Sequence, residues 1–201
     1  MAAINLTKGQ KIDLTKGDGS KLASFCVGAN WGMIEKKGIF GGGKKIDVDL
    51  DLSVGMFDAD NNLVDKVYFR NLSAQGIQHS GDDTGGDADG DDGLDNEVVT
   101  VTLAAIPEKV EKVVFILNSF QHQDFATIPF AAIRLYEGTP DRVDEVVANF
   151  NIASDPKFSG FVSMILGKLY RRNGEWKFAS IGEPTKDKDL DATLRTSKAY
   201  L

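Results

Sequence analysis

The chain reads as an all-β, antiparallel two-sheet β-sandwich with few short helices. Short β-rich runs recur between turn residues, sustained helical periodicity is nearly absent, and a glycine-punctuated acidic connector lies between two strand-like flanks. At 201 residues the chain can bury one sizeable core, and no Pro/Ser linker divides it, so residues 1–201 are expected to form a single domain.

Residues 24–29 (SFCVGA) open the series of strands, with Cys26 expected as a buried thiol between Phe25 and Val27. Residues 47–54 (DVDLDLSV) alternate strictly, placing Val48, Leu50 and Leu52 on a core face and Asp47, Asp49 and Asp51 on an acidic one. Asp58, Asp60, Asn61 and Asn62 form a turn, and residues 63–68 resume extended structure. Residues 97–103 (EVVTVTL) and 112–118 (KVVFILN) follow, the latter apolar enough to be central in a sheet. Residues 129–136 and 143–150 have the spacing of successive antiparallel strands. Asn173-Gly174 suits a two-residue type I′ hairpin turn between aromatic-bearing arms, although residues 159–169 are also compatible with a short starting helix. Beyond Glu183 the hydrophobic run ends, and the tail is expected to cover the surface. The glycine-rich segment 38–43 lacks P-loop spacing and reads as a flexible loop.

Net charge of −7 argues against binding a nucleic-acid backbone, which requires a basic stripe. No run approaches the length of a membrane span and the N-terminus carries no signal pattern, so a soluble cytoplasmic protein is expected. A lone cysteine excludes an internal disulfide and a thiolate zinc site. His79 and His122 stand in no ligand spacing; His79 is expected in a surface or loop-packing role and His122 in a turn. Trp31 and Trp176 are expected to pack in the core or the hairpin.

The chemistry is concentrated in residues 82–97, DDTGGDADGDDGLDNE, which carry eight carboxylates and no Lys or Arg. Charge so dense needs a cation among it, and no basic residue lies between Arg70 and Lys109. Calcium takes six to eight oxygen ligands at flexible geometry, which suits carboxylates and carbonyls on a glycine-bent loop. Asp87, Asp89 and Asp91 alternate with glycines, but an EF-hand would need Gly and Glu where Asp92 and Val98 stand, and its flanks would be helices. Eight carboxylates and Asn96 exceed one ion's needs, so two ions are plausible, with Asp47, Asp49 and Asp51 as a second ligand set. No nucleophile elbow or metal-protease motif is present, so no enzyme is expected. The rival reading is a two-metal-dependent hydrolase of phosphate esters, and a further one a purely structural calcium site without sensing.

GANWG (28–32), DVDLDLS (47–53), GDDTGGDADGDD (81–92), IPEKVEKVVFILN (106–118) and the closing hairpin LYRRNGEWKF resemble, in order and spacing, the TerD family of tellurite-resistance and stress-response proteins. The resemblance implies a β-sandwich binding calcium, usually two ions, in bacterial cytoplasmic stress systems, with other stress or tellurite-resistance proteins as partners and no known catalysis. Carried onto matching positions, it implies ligation by Asp82, Asp83, Asp89, Asp91 and Asp92. Asp83 stands where the family has Asn, Asp87 where it has Glu, and Thr84 falls one place early. The terminal ligand is left among Asp95, Asn96 and Glu97, and the resemblance adds support for Asp47, Asp49 and Asp51.

Overall fold

A computed structural model describes residues 3–5, 7–15, 19–37, 43–152 and 156–201. In chain order its strands are β1 (Ile4–Asn5), β2 (Lys11–Ile12), β3 (Ser24–Trp31), β4 (Ile34–Lys37), β5 (Gly43–Ile46), β6 (Leu50–Phe57), β7 (Leu63–Val67), β8 (Ser73–Ala74) and β9 (Ile77–His79). They continue as β10 (Glu97–Thr102), β11 (Lys112–Ser119), β12 (Ala131–Thr139), β13 (Arg142–Asn151), β14 (Ser163–Arg172) and β15 (Glu175–Thr185), before the helix α1 (Leu190–Ser197). A seven-stranded sheet runs β1-β13-β12-β3-β10-β9-β8, a six-stranded sheet runs β2-β15-β14-β11-β6-β7, and β4-β5 is a separate hairpin. The expected sandwich is present, antiparallel except where β1 joins β13.

The two large sheets face each other across a shared core. Phe25, Val27, Ala29 and Trp31 of β3 meet Leu50, Leu52, Val54 and Met56 of β6 and Val113, Phe115 and Leu117 of β11 in one buried cluster. The period of two then turns Asp51, Ser53, Gly55 and Phe57 to the outer face of the six-stranded sheet. That face is not solvated. Phe57, Val114, Ile116, Ile165 and Ile181 are covered by Leu194 of α1.

The tail expected to cover the surface does so with a helix that the sequence pattern did not specify. Asp189 caps it by accepting from the Ala192 amide at 2.7 Å, and it docks where β6 has no side chain. A Cβ on Gly55 would lie 2.3 Å from Leu194 Cδ2 and 2.9 Å from Phe57 Cε2. Its eight residues are too few to advertise themselves by periodicity, since a helix this short owes its stability to packing.

Other elements fall close to expectation. Asn173 and Gly174 both have positive φ, 54° and 78°, as a type I′ turn requires, and β14 carries no starting helix. β11 is central, between β14 and β6. Asp58 organises its turn by accepting from the amides of Asp60 and Asn62. His122 lies in a turn with φ 58°, and Cys26 and Trp31 are fully buried. The segment 38–42, where most of the glycine-rich loop is expected, lies outside the described residues. The strand expected over 47–54 begins at Leu50, which leaves Asp47 exposed and outside it.

Gly55→Ala is expected to lower the urea unfolding midpoint, costing about 1–3 kcal/mol as the helix is pushed off the sheet. An unchanged midpoint would show that α1 does not depend on this contact.

Candidate metal centre

Residues 80–96 connect β9 to its neighbour β10 at one end of the sandwich. Backbone contacts give this acidic loop a definite course. Asp87 pairs with β3, donating its amide to the Trp31 carbonyl at 2.9 Å and accepting from Met33 at 3.0 Å. Gly85 accepts from the Val48 amide at 2.9 Å. Asn96 accepts from the Trp31 amide at 2.8 Å, and the Trp31 indole donates to the Val48 carbonyl at 2.6 Å. Gly86, at φ 78°, lets the chain pass over that indole, where a Cβ would sit 2.5 Å from the ring.

The other sheet contributes the unsupported edge of β6. β7 pairs only with Val54–Phe57, so among the described residues the edge before Val54 lacks a strand partner on that side. His79 and Glu97, from β9 and β10, satisfy it. The Leu52 amide donates to Glu97 Oε2 at 2.7 Å, and the His79 ring meets the Leu52 carbonyl through Nε2 at 2.8 Å. The Gly81 amide donates to His79 Nδ1 at 3.1 Å, which selects the neutral ring with its proton on Nε2. Glu97 Oε2 lies 3.4 Å from the same nitrogen, and burial pushes its carboxyl above the ordinary range. Both side chains are shut off from solvent, so of the surface or loop-packing role expected for His79 only the packing holds, against the loop at Gly81 and against β6. Nothing in the local sequence of His79 announces a partner that comes from the opposite sheet.

Around this corner the carboxylates form two groups. Asp49, just ahead of β6, and Asp51, within it, meet Asp82 of the loop, with one oxygen from each lying within 4.8 Å of the others. Oxygens that ligate one calcium at 2.3–2.6 Å lie no more than about 5 Å apart. Asp49 and Asp51 are 7% and 8% exposed, and among the described residues neither carboxylate has an ion-pair or hydrogen-bond partner, although the His79 ring works to lower Asp51. Burial, then the charges of Asp82, Glu97 and Asp83, pushes Asp49 up to about 6. Burial, then Glu97, Asp49 and Asp82, pushes Asp51 up to about 7. A divalent cation meets the need of such a cluster directly, because burial and neighbouring carboxylates otherwise favour the protonated forms of Asp49 and Asp51.

Asp87, Asp91 and Asp92 form the second group, within the same distance limit but more open to solvent. Burial pushes Asp87 up. Asp91 accepts from the Asn30 side-chain amide and the Gly93 backbone, both at 2.8 Å. Asn96 donates to both Asp83 and Asp87, tying the second group to the residue next to Asp82.

The remaining candidates have other partners. Burial works to raise Asp83, but the amides of Gly86 and Gly85 and the Asn96 side chain together hold it below the ordinary range. Asp89 is almost fully exposed and pairs with Lys45 of β5 at 2.6 Å. Asp95 is enclosed, with Arg134 of β12 donating to its two oxygens at 2.8 and 2.9 Å and to the Gly93 carbonyl at 2.7 Å. Gly28 makes room for it, since a Cβ there would lie 1.9 Å from Asp95 Oδ2. The loop therefore does have cations, supplied by residues distant in sequence. This corrects the inference drawn from the stretch between Arg70 and Lys109.

Arg134→Ala leaves Asp95 charged and enclosed, and is expected to cost about 3 kcal/mol in a denaturant titration. A loss below about 1 kcal/mol would place the pair among exposed ion pairs. A second expectation concerns the protein in EDTA. Carboxyls with raised folded pKa favour the fold in their protonated form. That contribution is complete below the ordinary value of 3.8 and is lost as the pH climbs through about 6 for Asp49 and about 7 for Asp51. Between roughly pH 5 and pH 8 the parent should therefore lose on the order of 2 kcal/mol relative to an Asp49→Asn plus Asp51→Asn variant. Parallel stability curves would contradict the assignment.

Residues 1–196 match the family model described as the TerD domain. The chain is 37% identical to "Stress response protein SCP2" of Bacillus subtilis (strain 168), covering 94% of this chain and 96% of that one. It is 31% identical to "Tellurium resistance protein TerZ" of Serratia marcescens, covering 94% and 93%. Among solved structures, "Crystal structure of unknown function protein SAV2460" superposes with a TM-score of 0.66 at 20% identity, over 84% of this chain and 92% of that one, which speaks for the fold alone. The chain belongs to the TerD domain family, whose members include tellurium-resistance and stress-response proteins.

Proposed function

We propose that the chain is a single calcium-binding domain of a bacterial stress or tellurite-resistance system, acting in the cytoplasm as an ion-stabilised interaction module rather than as an enzyme. One ion would be held by Asp49, Asp51 and Asp82, and a second by Asp87, Asp91 and Asp92. The observation that carries this reading is the burial of Asp49 and Asp51 beside Asp82 with no Lys or Arg paired to Asp49 or Asp51 among the described residues. Calcium suits the site better than magnesium, because the donors are carboxylates from two sheets at an irregular corner, where a flexible coordination number is an advantage. When bound, the ion supplies positive charge. Asp49 and Asp51 then hold β6 to the loop, and Asp87, Asp91 and Asp92 shape the exposed surface.

A two-metal hydrolase finds less support. The two carboxylate groups share no residue, and the basic side chains that enter the loop, Lys45 and Arg134, are engaged by Asp89 and Asp95. The names of the relatives describe resistance and stress proteins. Partners would be other proteins of the same systems. No described helix is long and apolar enough to cross a membrane.

Calorimetric titration of the EDTA-stripped parent with calcium is expected to resolve two sites. Asp49→Asn plus Asp51→Asn should remove one and Asp91→Asn plus Asp92→Asn the other. Absence of calcium-dependent heat in the parent, or titrations unaffected by both pairs, would overturn the reading. Dissociation constants near 10⁻⁷ to 10⁻⁵ M would assign a sensor, and tighter binding a constitutive structural ion.

A further inference from the structure

On the outer face of the six-stranded sheet, where the turn after β7 approaches the N-terminal end of α1, lies a cavity of about 380 Å³. The turn is fixed by two backbone bonds between Tyr68 and Asn71, at 2.8 and 3.0 Å. It presents an aromatic wall. Tyr68 and Phe69 stand edge to face at 5.5 Å, and Phe69 and Phe120 do the same at 6.0 Å. Phe120 is 54% exposed, the highest value among the large hydrophobic residues described, and β11 ends just before it. Core packing does not account for such a ring.

The same cavity is lined by the basic side chains of Lys66, Arg70 and Lys188 and by the carboxylates Asp51, Asp189 and Asp191, of which Asp191 is held by Lys66 and Asp189 accepts from the Ala192 amide. Arg70 lies over the Phe69 ring at 5.1 Å. Neither Arg70 nor Lys188 has a carboxylate within ion-pairing distance among the described residues, whereas the nearby Lys66 is held by Asp191 at 2.6 Å. Asn118 also lines the cavity, 5% exposed and directly across the strand pair from Asp51. Its amide donates to Ser163 Oγ at 2.5 Å and to Thr193 Oγ1 at 2.9 Å. Both hydroxyls already donate their protons, to the carbonyls of Asp187 and Asp189, so they can only accept from Asn118. That fixes the orientation of the amide and leaves Oδ1 a buried acceptor without a donor. A buried polar atom without a partner is a cost that a bound group removes.

We propose that this cavity binds a small planar anion, an aromatic ring with an N–H donor and a phosphate or carboxylate group. The ring would lie on Phe69 and Phe120, the anion on Arg70 and Lys188, and the N–H would reach Asn118. The volume falls within the range of small-molecule sites, and stacking with adjacent cations gives the geometry its selectivity.

The test is calorimetric titration of the full chain, in calcium-containing buffer, with adenosine monophosphate and with anthranilate, against adenosine and inorganic phosphate. At least one ring anion should bind, and adenosine and inorganic phosphate should bind at least about tenfold more weakly. Phe120→Ala and Arg70→Ala should each weaken the binding by about tenfold. Preference for adenosine monophosphate assigns a phosphate ligand, and preference for anthranilate a carboxylate. Phe120 is exposed, so its variant retains the fold, as an unchanged circular dichroism spectrum would verify. No binding of either ring anion, equal binding of inorganic phosphate, or an affinity indifferent to Phe120→Ala would overturn the proposal.

Discussion

The architecture depends on a corner where the two sheets exchange polar groups instead of apolar ones. Ahead of Val54, the edge of β6 that faces away from β11 has no strand beside it among the described residues, and its Leu52 peptide is completed by His79 and Glu97 from the opposite sheet. Burying that polar contact forces acidic side chains together, because Asp49, Asp51, Asp82, Asp83 and Glu97 all converge on it. Hydrogen bonds satisfy Asp83 and Glu97. They leave Asp49 and Asp51, whose charged forms are costly in the absence of a further cation.

Shape and charge are thus solved by different means. The course of the acidic loop is set by backbone bonds to Trp31 and Val48, by the passage of Gly86 over the indole, and by Asn96, which ties Asp83 and Asp87 to the Trp31 amide. Arg134 and Lys45 neutralise the far side of the loop. What the proposed ions add is positive charge at the two carboxylate groups that these residues do not reach. Because one group joins β6 to the loop and the other lies within it, ion binding would link the stability of the sandwich corner to the form of the exposed surface.

The sandwich was readable from alternation and turn chemistry, because its long strands each bury one face in a common core. The order of DVDLDLSV and EVVTVTL, and the Asn173-Gly174 turn, specify local structure through local forces. Less was readable where a residue's role is decided by a distant neighbour. His79 looks like a loop residue until β6 supplies Leu52, and Asp95 looks like a ligand until Arg134 arrives from β12. The helix α1 is too short to be periodic and forms because Gly55 leaves a place for it. Acidic density was legible at once, but its division into two groups, with Asp47 exposed and Asp89 held by Lys45, depends on the pairing of strands that the sequence does not display.

The most direct test of the account is anomalous-difference density from crystals of the full chain saturated with calcium. The account predicts a peak enclosed by Asp49, Asp51 and Asp82, and a second by Asp87, Asp91 and Asp92. An ordered corner with only water among Asp49, Asp51 and Asp82 in such crystals would contradict it.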